Sequence, residues 1–210
     1  MLANRTKSQL LPDLQALPDE VKAAIREVCI DRWRPYAQAV MEGLPAAAIV
    51  VDRFHAMQAV TNDLKALKNT RKKDLPKAAQ ACHYPLLKNQ EALTETQHDL
   101  LQTVYEVDPM LKRAHQLKEQ FRAIFETIQT IDEARKQVQK WIGKAYKHQV
   151  FPPVITQMKT WLSSMLNYFQ HHTTNGPAEG VNHKIKLVKR RAYGFRNFGN
   201  FRLRILTAFL

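Results

Sequence analysis

Glycine, cysteine and long apolar runs are all scarce in this sequence, and each shortage excludes something. Six glycines in 210 residues are too few and too scattered to build a Gly-rich loop whose backbone cradles phosphates. With only ten prolines beside them, they also argue against a turn-rich all-β fold and a low-complexity linker. The two cysteines, Cys29 and Cys82, provide neither a disulfide framework nor a four-cysteine zinc site. The eight histidines form no HExxH, and Cys82-His83 has no partner at zinc spacing. A serine nucleophile elbow, GxSxG, is missing as well. The longest apolar run, around Leu44 to Val51, is about half the 18 or so residues of a membrane span. The first ten residues, MLANRTKSQL, lack the apolar stretch of a secretory signal. A cytoplasmic chain with no membrane partner is expected.

What is present is positive charge. Lys and Arg number 32 against 19 Asp and Glu, a net of +13, which attracts polyanions. From Glu179 to Leu210 there are eight basic residues, Lys184, Lys186, Lys189, Arg190, Arg191, Arg196, Arg202 and Arg204, and the single acid Glu179. They alternate with Tyr193, Phe195, Phe198 and Phe201, a pattern that fits nucleic acid better than a merely solvated helix face.

Periodicity and punctuation divide the chain in three. In residues 1–70, Pro18-Asp19-Glu20 opens a helix expected to run through Val21, Ala24, Ile25 and Val28. The apolar run Val28-Cys29-Ile30 ends at Asp31, and Arg34 to Met41 is helical. Ala46 to Val51, with its β-branched end, is expected to be a strand buried on both faces, as in a parallel sheet. Arg53 to Leu67 is helical again, so α/β alternation is predicted, with strands near 28–31 and 46–52. Residues 71–172 show no strand pattern. Asp108-Pro109 reads as a helix start, followed at helical spacing by Leu111, Ala114, Leu117, Phe121, Ile124, Phe125 and Ile128. Thr130 with Glu133 forms a capping box ahead of Ala134, Val138, Trp141, Ile142 and Tyr146. Pro152-Pro153 precedes a stripe of Ile155, Met158, Trp161, Leu162, Met165 and Phe169. These stripes are expected to be core. In residues 173–210, Thr174-Asn175-Gly176-Pro177 breaks the chain and starts a helix. One face of that helix holds Val181, Ile185 and Val188; another holds Glu179, Asn182, Lys186 and either Lys189 or Arg190.

Three acids are candidates for chemistry. Asp31 and Asp52 each end a predicted strand, and ligands of open α/β sheets gather beyond strand carboxyl ends. Glu179 stands in a helix first turn, where the dipole favours negative charge. Carboxylates and water suit Mg²⁺, and paired ions can cleave a phosphodiester. The competing reading is that Asp31 and Asp52 cap the helices that follow them.

The segments IDRWRPYAQAV (30–40), IVVDRFHAMQAV (49–60) and TNGPAEGVNHKIKLVKRRAYGFRNFGNFRLRIL (174–206) resemble the ISL-three family of insertion-sequence transposases. The resemblance spans essentially the whole chain. It implies a mainly helical α+β fold: a partial ribonuclease H-like α/β core retaining two parallel strands, with a large all-α insertion. It also implies a D-D-E catalytic site with two Mg²⁺ ions, cutting and joining double-stranded DNA. Carried over residue by residue, Glu179 matches the family's terminal acid and Asp31 the second acid, both as metal ligands. Asp52 and His55, within the DRFH signature, are neighbours of the site; an alternative makes Asp31 and Asp52 the two aspartates. Asn175 is expected to support the acids. Asn182, Lys184, Lys186, Lys189, Arg190, Arg191 and Arg196 are the expected DNA contacts, and a homo-oligomer is a further expected partner. Arg32 departs from the hydrophobic residue expected after the aspartate. Residues 1–28 offer no strand bearing the first aspartate, so a truncated, C-terminal half of a transposase is expected, without strand transfer of its own. Two further readings remain: a non-catalytic DNA-binding remnant, and a helical protein-interaction module exposing Phe121, Phe125, Trp141 and Trp161.

Overall fold

β-branched runs become strands only where a partner accepts their backbone hydrogen bonds, and two short runs here find each other. The structure, a computed structural model, describes residues 6–127 and 129–210, apart from the side chains of Ala78 and His171; Ile128 lies outside the described residues. β1 (Glu27–Ile30) pairs with β2 (Ala48–Val51) in a two-stranded parallel sheet. Three helices flank these strands in sequence: α1 (Lys7–Gln15) and α2 (Asp19–Ala24) precede β1, and α3 (Arg34–Gly43) links it to β2.

Two expectations need correction here. The helix opened by Asp19 stops at Ala24, short of Val28, because Ile25 turns extended and the Arg26 carbonyl accepts the Ala48 N–H at 2.8 Å. Strand pairing therefore overrides helical spacing. β2 is also not buried on both faces throughout: Val50 and Val51 are buried, but Ala48 and Ile49 only half so. Each strand has a single partner among the described residues, which leaves it less covered than in a wide parallel sheet.

The remaining helices are α4 (Arg53–Arg71), α5 (His83–Leu87), α6 (Glu95–Val107), α7 (Pro109–Glu126), α8 (Ile131–Lys147), α9 (Pro152–Leu166), α10 (Tyr168–His171), α11 (Gly176–Arg191) and α12 (Phe198–Ala208). The chain divides into two compact units. One comprises Met1–Ile49 with Thr173–Leu210, and the other Val50–His172. In the first, α1 packs on α3 and α11 on α12. Gly43 is needed for the α1–α3 approach, since a Cβ there would meet the Leu14 Cβ at 2.8 Å.

The second unit is all helical apart from the end of β2, as the absence of strand patterning predicts. α7 is its centre and packs on α4, α6 and α8. Leu111, Ala114, Leu117, Phe121, Ile124 and Phe125 are buried along α7. The Asp108 carboxylate accepts the N–H groups of Met110 and Leu111, and the Thr130–Glu133 capping box forms. Buried Phe121, Phe125 and Trp141 contradict a module that exposes them; Trp161 is half-buried. Tyr146 departs from its expected core place. The buried stripe of α8 runs Ala134, Val138, Trp141, Ala145, and the next residue points about 100° away, so Tyr146 is exposed.

Charges are also buried here, unannounced by periodicity. Lys118 is 1% exposed; its ammonium donates to the Leu86 carbonyl at 3.2 Å and to that of Lys88, and pairs with Glu119 at 2.7 Å. Arg122 holds Glu119 at 2.9 Å and Glu91 at 2.6 Å. Burial alone would raise Glu119, but Lys118 and Arg122 bring its pKa below the ordinary value.

Candidate functional site

The first unit brings the end of β1 and the start of α11 together. Asp31 directly follows β1, yet it does not cap α3: that helix starts after Trp33 without a side-chain cap. Instead Asp31 accepts a hydrogen bond from the Asn175 side-chain amide at 3.0 Å. Asn175 holds the N-cap position of α11, where an asparagine ordinarily bonds the backbone of its own helix. Here it makes no such bond. Two residues earlier, the Thr173 hydroxyl donates to the Glu27 carboxylate at the other end of β1. The segment Thr173–Asn175 is therefore fastened along the strand at both ends.

Glu179 follows from this geometry. Its backbone N–H donates to the Asn175 carbonyl at 2.9 Å, the first intrahelical bond of α11. Asn175 thus holds Asp31 with its side chain and the Glu179 turn with its main chain. Glu179 is exposed in the first turn of the helix, where the dipole favours its charge. Beside Asp31, burial lowers the Arg32 guanidinium below its ordinary pKa and the Asp31 charge opposes the shift. Arg32 is thus half-buried beside Asp31, at the position where a hydrophobic residue was expected.

The other sequence-predicted residues divide between the units. Asp52 is 3% exposed and caps α4, accepting the Phe54 N–H at 2.7 Å. His55 lies 3.7 Å from the same carboxylate. The capping reading thus holds for Asp52 and fails for Asp31. Along α11, Asn182, Lys184, Lys186, Lys189, Arg190 and Arg191 are exposed, as is Arg196 beyond it. Lys184 is engaged with the residue that follows α12, its ammonium 4.2 Å from the centre of the Phe209 ring. Val181 is exposed, whereas Ile185 and Val188 are half-buried, and Phe195 packs on Phe201 with ring centres 4.9 Å apart. Sequence reasoning missed Thr173 and Glu27; a threonine just before the Thr174–Pro177 break carries no signal until strand and helix are placed.

Among the described residues no group of three or more His, Cys, Asp or Glu is arranged to hold a metal ion. The Asp31 and Glu179 carboxylates are nonetheless hard oxygen donors, the chemistry Mg²⁺ takes when one or two carboxylates share it with phosphates and water. Two such carboxylates would suit that shared mode and would not make an all-protein cage.

Comparison with known proteins finds relatives over most of the chain. The transposase for insertion sequence element IS1557 of Mycobacterium tuberculosis is 28% identical over 211 residues, covering 87% of this chain and 47% of that protein. The transposase for element IS1001 of Bordetella parapertussis is 25% identical over 204 residues, covering 93% of this chain and 50% of that protein. A Lactococcus lactis protein named as an ATP-dependent protease is 32% identical over 120 residues, covering 57% of this chain and 36% of that protein. The chain spans about half the length of the two transposases it matches. No solved structure matches, and no helix among the described residues is long and apolar enough to cross a membrane. A transposase family model matches residues 1–205, from the first helix through most of the last, and the chain belongs to the ISL-three family of transposases.

Proposed function

We propose that this chain forms part of a DNA transposase of an insertion sequence, in which Asp31 and Glu179 hold Mg²⁺ at a phosphodiester and α11 with its flanking turn binds double-stranded DNA. One observation carries the reading: Asn175 leaves its own helix uncapped to hold Asp31, while its carbonyl anchors the turn that bears Glu179. A residue with a purely local task would cap. The ribonuclease H-like reading of β1, β2 and α11, with the second unit as an insertion, belongs to this proposal.

The chain's own residues have distinct tasks in it. Asp31 and Glu179 would be the ligands, and the ion would stabilise charge developing on the phosphate oxygens. Asn175 orients the Asp31 carboxylate by donating to its Oδ1. Lys186, Lys189, Arg190 and Arg191 neutralise phosphates and position the duplex without reading its sequence. Asp52 has its carboxylate committed to the α4 cap and is given no ligand role.

Titrating Mg²⁺ into the complex of the full chain with duplex DNA tests this by calorimetry. Binding is expected in the unsubstituted chain and in Asp52→Asn, and is expected to disappear in Asp31→Asn and in Glu179→Gln. Unchanged binding in Glu179→Gln contradicts the proposal.

A further inference from the structure

The turn after α11 contains a strain that phosphate contacts do not explain. α11 ends in a Schellman-type cap, with the Tyr193 N–H donating to the Arg190 carbonyl at 3.1 Å and the Gly194 N–H to the Lys189 carbonyl at 3.0 Å. This motif requires a left-handed residue at the position Tyr193 occupies, where φ is +52°. Glycine is the usual occupant, because it has no Cβ to meet the following carbonyl. The available glycine, Gly194, stands one position too late to relieve it.

Among the described residues, Gln149, Phe151, His172 and Tyr193 are the non-glycine residues with a left-handed φ, and Phe151 and Tyr193 are the aromatic pair among them apart from the imidazole of His172. Phe151 also has a left-handed φ, +60°, but its ring is buried and stacks on Trp141 at 6.1 Å with 10° between planes. Packing offsets the backbone cost there. Tyr193 has no such return, for the residue is 102% exposed. The turn holds a large aromatic ring wholly in solvent, at the tip of the helical pair α11–α12.

Its surroundings select the occupant. Arg190 and Arg191 precede it, Arg196 follows, and all three are exposed. No Asp or Glu occurs from 180 to 210, so an acidic polymer is welcome and a basic or purely apolar partner is not. An aromatic face amid phosphate-binding arginines is the arrangement that stacks nucleobases. Bases inside an intact duplex hide their faces, so the ring can stack only where a base is unpaired or displaced.

We propose that Tyr193 stacks on a base unstacked from the DNA at a strand end, nick or distortion, with Arg190, Arg191 and Arg196 holding the flanking phosphates. This rests on the reading of the chain as a DNA transposase, and the test separates the two. The full chain is titrated with an intact duplex and with a forked duplex bearing 2-aminopurine at the junction, following affinity and fluorescence. The unsubstituted chain, Tyr193→Phe and Tyr193→Trp are expected to prefer the fork and change the 2-aminopurine signal. Tyr193→Gly and Tyr193→Ala are expected to lose about 5- to 100-fold of the affinity for the fork and little for the duplex. Tyr193→Gly, freed of the left-handed penalty, is expected to melt no lower than the parent chain, so its loss cannot come from misfolding. Equal affinity of Tyr193→Gly and the parent for the fork overturns the stacking role while leaving the transposase reading intact. Failure of the parent to bind either DNA overturns both.

Discussion

Asn175 and His115 show how single side chains report tasks that their positions alone do not reveal. Serine caps helices about as well as asparagine but is too short to reach Asp31 in the same way. Asn175→Ser is therefore expected to change stability by less than about 1 kcal/mol and yet weaken metal binding; urea melts and metal titration on the same preparation check this pair of outcomes. His115 tests the interior instead. Its ring is buried, shares a hydrogen bond with the Tyr105 hydroxyl at 2.6 Å, and faces Lys118 and Glu119. Burial first, then the Lys118 charge, lowers its pKa to about 4, with Glu119 opposing. In the unfolded chain it protonates near 6.5. Between these values the unfolded state binds more protons, so this stability is complete above about pH 6.5 and is lost as pH falls towards 4. The total is on the order of 3 kcal/mol. Urea unfolding followed by tryptophan fluorescence from pH 7 to 4 is expected to show this slope, and His115→Gln, which still offers Tyr105 a hydrogen-bond partner, is expected to flatten it.

Helices and strands differ in how much of them the sequence discloses. The α7 start at Asp108-Pro109, the α8 capping box and the α11 start at Gly176-Pro177 were legible because caps and prolines act locally. The two strands were legible as β-branched runs, but their partial burial was not, since it depends on how many partners a strand finds. The ion cluster of Lys118, Glu119 and Arg122 was illegible for the same kind of reason: a lysine at a core position reads as surface until carbonyls and a carboxylate are seen around it. Two substitutions test the elements. Asp108→Ala removes the α7 cap and the partner of Arg71 and is expected to cost at least about 1–2 kcal/mol in urea unfolding. Gly43→Ala forces a methyl against Leu14 and is expected to cost about 1–3 kcal/mol, whereas Gly143→Ala, whose Cβ meets nothing within 4 Å, is expected to stabilise α8 by roughly 0.5–1 kcal/mol.

Across the whole molecule, charge is divided more sharply than its net value conveys. Residues 1–133 carry eighteen Lys and Arg and eighteen Asp and Glu, while residues 134–210 carry fourteen basic residues and Glu179 alone. The single carboxylate of that stretch, Glu179, stands in the first turn of α11, where the helix dipole favours it. DNA affinity is accordingly expected to fall steeply with salt, the logarithm of the binding constant declining by about 0.9 per phosphate neutralised for each logarithmic unit of salt. The most direct test of the central claim, that Asp31 and Glu179 serve one ion, is a double-mutant comparison of Mn²⁺ binding to the DNA complex, read by electron paramagnetic resonance. Asp31→Asn, Glu179→Gln and the double variant are expected to lose the same bound ion, with no further loss in the double. Bound Mn²⁺ that survives either single substitution unchanged would contradict a shared site.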